Sequence, residues 1–115
     1  MTEIGVVRDS TVMDATYGRL RELTKHVRSV RCCGSCAINL CGVAMGRLDA
    51  FFEINFGGPW DVAAGALVVE EAGGEVVDPF TAGPLGLMDR RVLAGSKGLP
   101  AQITPFMHAK LAPAL

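Results

Sequence analysis

The segment Pro59-Trp60-Asp61-Val62-Ala63-Ala64-Gly65-Ala66-Leu67-Val68-Val69-Glu70-Glu71-Ala72-Gly73-Gly74 constrains this chain most. It reads as a central helix over Trp60 to Ala72, almost wholly apolar, closed by a glycine pair and carrying one carboxylate at its mouth. Such a helix belongs inside a layered domain. Asp61 stands where unpaired helix N–H groups gather. It is therefore a cap or first-turn acid, or a carboxylate that holds a cation beside an anion such as phosphate.

The 115 residues amount to one domain, 1–115, with enough chain to bury a core. A formal charge of -1 offers no electrostatic reason to expect nucleic acid or an anionic membrane as partner, so the ligand is expected to be small. The longest apolar runs, such as Val62 to Val69, fall far short of the roughly 20 residues that cross a bilayer. Met1-Thr2-Glu3 lacks a signal-peptide pattern, which makes the expected location cytoplasmic. Cys32, Cys33, Cys36 and Cys41 are clustered rather than spread as a disulfide framework, so free thiols are expected. Cys33-x-x-Cys36 has no second pair for zinc, and Cys32, Cys36 and Cys41 read better as small packing residues.

Short extended runs alternate with longer helical ones, which points to an α/β layered fold with a mixed sheet flanked by helices. Thr2 to Gly5 is a strand remnant, and Asp9 or Ser10 caps a helix to about His26. Val27 to Cys33 alternates as a strand leading to Gly34. A helix follows from Ser35 to Met45, with Cys36, Ala37, Leu40, Cys41 and Ala44 as a small-residue face that packs closely on a neighbour and Gly46 as its stop. Strands are expected over Leu48 to Ile54, Glu75 to Asp78 and Arg91 to Ala94. The tail from Leu99 to Lys110 is helical with Pro105 as a break.

Three features fall at the ends of expected strands, the edge where open α/β sheets bind ligands. Gly34 lets the backbone approach a ligand, and Ser35 either adds a hydroxyl for a phosphate or sugar or simply caps the helix. Glu53 is either an acceptor for ligand hydroxyls or a solvated strand-end acid. Asp61 supplies one oxygen of the kind magnesium takes together with water and substrate phosphate, and cannot be the whole of such a site. Glu70, Glu71 and the run Asp89-Arg90-Arg91 read as solvated charges.

Four ordered stretches, Gly34-Ser35-Cys36-Ala37-Ile38-Asn39-Leu40-Cys41, Gly46-Arg47-Leu48-Asp49-Ala50-Phe51-Phe52-Glu53, Trp60-Asp61-Val62-Ala63-Ala64-Gly65 and Glu71-Ala72-Gly73-Gly74, closely resemble the C-terminal half of the inositol monophosphatase family. Leu87 to Ala94 resembles its closing segment, and Thr2-Glu3 its strand entering this half. The resemblance implies a layered sugar-phosphatase fold and magnesium-dependent hydrolysis of inositol monophosphate, in a family that pairs as homodimers and is inhibited by lithium. It also implies that Gly34, Ser35 and Cys36 contact substrate, that Glu53 binds inositol hydroxyls, and that Asp61 is a metal ligand facing substrate. This chain has one residue more than usual between Glu53 and Trp60-Asp61, and Gly86 replaces an acid common in the closing motif. The glutamate and Asp-Pro-Ile-Asp-Gly-Thr-like motif that supply most metal ligands in the family's N-terminal half have no counterpart here. The expectation is a portion of an inositol monophosphatase-like protein with no activity of its own, or alternatively a non-catalytic binding or dimerisation module. In either case apolar helix faces, such as Leu67 and Val68, favour self-association.

Overall fold

The computed structural model describes residues 1–109. Asp9 caps α1 (Ser10–Leu23) by accepting from the Thr11 and Val12 amides, as the local sequence predicts, although the helix ends three residues short of His26. Ser35 caps α2 (Cys36–Ala44) through the Ile38 amide, and Gly46 follows it with a left-handed φ of 78°. Then come β1 (Ala50–Ile54), a 3-10 turn (Pro59–Asp61), α3 (Ala63–Glu71), β2 (Glu75–Val77), β3 (Arg91–Gly95), α4 (Leu99–Ile103) and a second 3-10 turn (Thr104–His108). The expected tail helix is thus divided just before Pro105, and Lys110 lies outside the described residues.

The sheet has the order β1-β3-β2 and both pairings are antiparallel, with Phe51 opposite Ala94, Glu53 opposite Val92 and Val76 opposite Ala94. The mixed sheet expected from the sequence is reduced to one parallel bridge, Thr2 to Phe52, held by the Phe52 amide on Met1 O at 3.2 Å and the Met1 ammonium on Ala50 O at 2.9 Å. An antiparallel sheet has no shared carboxyl edge, so the strand-end argument for a common ligand edge does not carry over. The strand expected over Val27 to Cys33 is irregular. Its alternation finds no ladder, and its link to Thr2 is a single bond from the Thr2 amide to Arg31 O.

Because side chains alternate across a strand, each strand feeds two cores. Phe51, Val76, Val92 and Ala94 join Cys36, Leu40 and Val43 of α2 and Ala66 and Val69 of α3 on one face. Phe52 and Leu93 join Leu23 of α1 and Met107 on the other. The result is helix, sheet, helix. Within the first layer α2 and α3 approach closely at Gly65, where a Cβ would come within 2.7 Å of Leu40 Cδ1. The close packing predicted for α2 is therefore present, but its buried face is Cys36, Asn39, Leu40, Gly42 and Val43. Ala37 and Cys41 face out, as does Cys32, and of the three cysteines read as packing residues only Cys36 is buried.

The central helix is likewise interrupted. Asp61 folds back so that its Oδ2 accepts from the Gly58 amide at 3.2 Å, closing the 3-10 turn, and α3 starts after Val62 with no side-chain cap. Glu70 and Glu71 are exposed as expected. Arg90 and Arg91 are not a solvated run: Arg90 donates to Phe56 O, and Arg91 Nε lies 2.6 Å from Asp78 Oδ2.

Candidate active site

Period-two geometry sends Glu53 to the same face as Phe51, toward the start of α2. Its side chain is 6% exposed, which removes the reading as a solvated strand-end acid. Its Oε2 is buried and has no hydrogen-bond partner among the described residues. The Cys36 thiol, first in α2, lies beside the same carboxyl group. Burial, then the Glu3 and Asp61 carboxylates, push Glu53 up to about 7 against the opposing pull of that thiol. Burial, followed by the charges of Glu53, Asp61 and Glu3, also pushes the Cys36 thiol far up. Cys36 is therefore a protonated donor rather than a nucleophile. The charge of Asp61 bears on both Cys36 and Glu53, so α2, β1 and the 3-10 turn bring these three side chains within electrostatic reach.

The turn into α2 completes the cluster in a way the sequence does not announce. Glu3 Oε1 accepts from the Cys33 and Gly34 amides, each at 2.7 Å, and from Asn39 Nδ2 at 2.9 Å. Gly34 has φ of 90°, a conformation that glycine adopts without strain. Those two amides, expected to meet a ligand anion, are thus already occupied by a carboxylate. Ser35 Oγ spends one lone pair capping α2 and retains its proton for donation. The turn is shaped to meet a hydroxyl rather than a second anion. Glu3 and Asn39 are the residues that sequence reasoning misses. Their partners lie 30 to 36 positions away or on a helix face whose phase only the fold sets.

Asp61 retains acceptor capacity beyond its single bond to Gly58 and can supply one oxygen to a divalent cation. No group of three or more His, Cys, Asp or Glu side chains among the described residues is arranged to hold a metal ion. A cavity of about 850 Å³ lies elsewhere, between α1, residues 26–31, β1 and α4, and none of Gly34, Ser35, Cys36, Glu53 or Asp61 lines it. No helix among the described residues is long and apolar enough to cross a membrane.

The three-layer α/β domain thus brings a carboxyl cluster and a hydroxyl-bearing turn together at the mouths of its helices. A sequence model of the inositol monophosphatase family matches residues 2–115. Inositol monophosphatase 3 of Solanum lycopersicum is 60% identical over 93 residues, covering 81% of this chain and 34% of that protein. Inositol monophosphatase 1 of Homo sapiens is 36% identical over 103 residues, covering 89% of this chain and 36% of that protein. The solved inositol monophosphatase from Anabaena (Nostoc) sp. PCC 7120 superposes with a TM-score of 0.78 at 34% identity, covering 86% of this chain and 39% of that one. The chain belongs to the inositol monophosphatase family. It spans about a third of the length of the curated relatives it matches.

Proposed function

We propose that this chain carries the substrate-side surface of a magnesium-dependent inositol monophosphate phosphatase. The observation that supports this most directly is the buried, unpartnered Oε2 of Glu53 beside the Cys36 thiol and the Asp61 carboxylate. An orphaned buried acceptor is costly unless a ligand group meets it, and the hydroxyls of a cyclitol supply donors of fixed geometry. In this reading Glu53 accepts from inositol hydroxyls, and Gly34, Ser35 and Cys36 line the ring. Asp61 gives one oxygen to magnesium near the phosphate. When bound, magnesium would orient the phosphate and acidify the attacking water.

One carboxylate does not hold that ion in a working position, so the 115-residue chain alone is expected to bind inositol 1-phosphate without turning it over. Titration calorimetry with inositol 1-phosphate should show binding that Glu53→Gln weakens by about tenfold or more. Malachite-green detection with magnesium should show no phosphate release above a protein-free control. Turnover that Asp61→Asn abolishes would overturn the inactivity, and absence of binding would overturn the substrate reading.

A second reading, a non-catalytic association module, draws on exposed apolar side chains along α2, α3 and their flanks, among them Ile38, Met45, Leu67 and Val68. It predicts subunit association with no inositol phosphate binding. Homodimerisation and a cytoplasmic location are part of the family reading and are proposed here on that footing.

A further inference from the structure

Cys32 and Cys33 are free, exposed and adjacent, immediately before Gly34. Both thiols lie within electrostatic reach of the Met1 ammonium, and Cys33 lies within electrostatic reach of Cys32. The backbone nitrogen of the peptide that joins them is the Cys33 N–H, which donates to Glu3 Oε1 at 2.7 Å. Cys36 is buried against Glu53, and Cys41 is separately exposed on α2. The pair is thus distinct from the other two thiols in both exposure and position.

We propose that Cys32 and Cys33 form a two-thiol modification site that hydrogen peroxide closes to a disulfide, releasing the Gly34–Ser35 turn from Glu3. One thiolate attacks a peroxide oxygen, forming an S–O bond as the O–O bond breaks, and one water leaves. The second sulfur then attacks the sulfenic sulfur, the S–S bond forms, the S–O bond breaks, and a second water leaves. Two thiols are oxidised by two electrons and one peroxide is reduced to two waters.

The coupling to the turn follows from geometry. Adjacent Cα atoms across a trans peptide are about 3.8 Å apart, below the roughly 4.4–6.8 Å that disulfides prefer. Closing the eight-membered ring therefore distorts the shared peptide, whose Cys33 N–H is one of the two turn amides that Glu3 holds, and this distortion is proposed to free the turn against the remaining Gly34 and Asn39 bonds. The same strain makes the bond easy to reduce, so the change is reversible by thiols. Burial and the Glu3 carboxylate push the Cys32 thiol up, against the Met1 ammonium, which makes this a slow site that calls for excess peroxide. The consequence for substrate rests on the functional reading above. The modification and its effect on the backbone do not.

The test uses the reduced 115-residue chain treated with excess hydrogen peroxide. Alkylation and fragment mass mapping should show two hydrogens lost between Cys32 and Cys33, with Cys36 and Cys41 still alkylated. Amide hydrogen exchange at Gly34 should accelerate at least tenfold and return to its starting rate with dithiothreitol. Cys32→Ser and Cys33→Ser should each abolish both changes, while Cys41→Ser leaves them intact. A disulfide through Cys41, a dimer linked between chains, oxidation that stops at sulfenic acid, or a 32–33 disulfide with unchanged Gly34 exchange would each overturn the proposal. None of these readouts uses inositol phosphate, so a failure here is distinct from a failure of the substrate assignment.

Discussion

The carboxylate of Glu3 lies 2.7 Å from the backbone nitrogen of Gly34, and the two residues are 31 positions apart. The same oxygen also holds Cys33 and Asn39, so one half-buried acid ties the start of the chain, the turn and α2 together. Charge-assisted bonds of this kind are stronger than neutral ones, and removing the acid returns the two exposed turn amides to water while leaving the buried Asn39 side-chain amide without this acceptor. Glu3→Ala is expected to lower unfolding free energy by about 1–2 kcal/mol and Glu3→Gln by less than about 1 kcal/mol. Urea unfolding monitored by far-UV dichroism would check both values. Equal stability of Glu3→Ala and the parent would show that the turn does not depend on this contact.

Glu53 leads to a pH prediction whose sign is opposite to that of most acids. Its folded value is raised to about 7, above the ordinary carboxylate value of 4.5, so the folded state holds the proton more tightly than the unfolded chain. Stability from this group is full below about 4.5, falls as pH rises toward 7, and levels off above that. The loss is on the order of 2 kcal/mol. Glu53→Gln should flatten that part of the profile, and Asp61→Asn should shift the fall to lower pH by removing one of the charges that raise Glu53. Thermal melts at closely spaced pH values distinguish these outcomes, and a parent profile that rises between 5 and 7 would contradict the assignment.

What could be read from the sequence depended on how local the chemistry is. Asp9, Ser35 and Gly46 mark helix ends because a cap or a left-handed turn is decided within a few residues. The side that Glu53 takes is not decided locally, because Phe51 and Phe52 are both apolar and are buried on opposite faces of the sheet. The run Val27 to Cys33 alternates but pairs with no strand among the described residues, and pairing is a property of the fold rather than of the run. The segment through Trp60 reads as one continuous helix because nothing local shows that Asp61 prefers the Gly58 amide to the start of α3. Gly34, Ser35, Cys36, Glu53 and Asp61 were legible as candidates. The hold of Glu3 on the turn was not, because it joins residues far apart in the chain.

Gly65 is where α3 passes Leu40, and an added methyl would meet both Leu40 Cδ1 at 2.7 Å and its Cβ at 2.8 Å. Leu40 is fully buried and has little room to yield. The better helix propensity of alanine, worth about 1 kcal/mol, is therefore outweighed by overpacking of about 1–3 kcal/mol. Gly65→Ala should destabilise or at best leave stability unchanged, whereas Gly73→Ala, at φ of 88° with open space around it, should cost about 1 kcal/mol from backbone strain alone. Chemical denaturation of the two variants side by side tests the distinction. A clear gain for Gly65→Ala would show that the two helices can separate without penalty.

Asp78 sits at the far end of β2 with Oδ1 on the Phe80 and Thr81 amides and Oδ2 on Arg91 Nε at 2.6 Å. Burial alone would raise this acid, but the Phe80 amide, Arg91 and the Thr81 amide outweigh it and hold it below the ordinary carboxylate value. A depressed folded value contributes stability above the unfolded value and loses it as pH falls through the folded one. Acid unfolding should therefore begin below about pH 4 and should come earlier in Arg91→Met. Asp78→Ala should cost about 3 kcal/mol because it leaves two amides and a guanidinium without their acceptor.

Leu67 and Val68 are 57% and 45% exposed on α3, and Ile38 is 61% exposed on α2, the helix packed beside it. Apolar side chains grouped on adjacent helices leave the water most readily by covering one another between molecules. The chain should therefore sediment as a concentration-dependent mixture with species larger than a monomer, and its melting temperature should rise with protein concentration. Leu67→Glu with Val68→Lys should shift the mixture toward monomer without lowering the monomer's own stability by more than about 0.5 kcal/mol, since both side chains lie outside the cores. Analytical ultracentrifugation across a hundredfold concentration range decides the matter. A monomer throughout, with one sharp two-state melt independent of concentration, would show that this face is tolerated in water and that association does not use it.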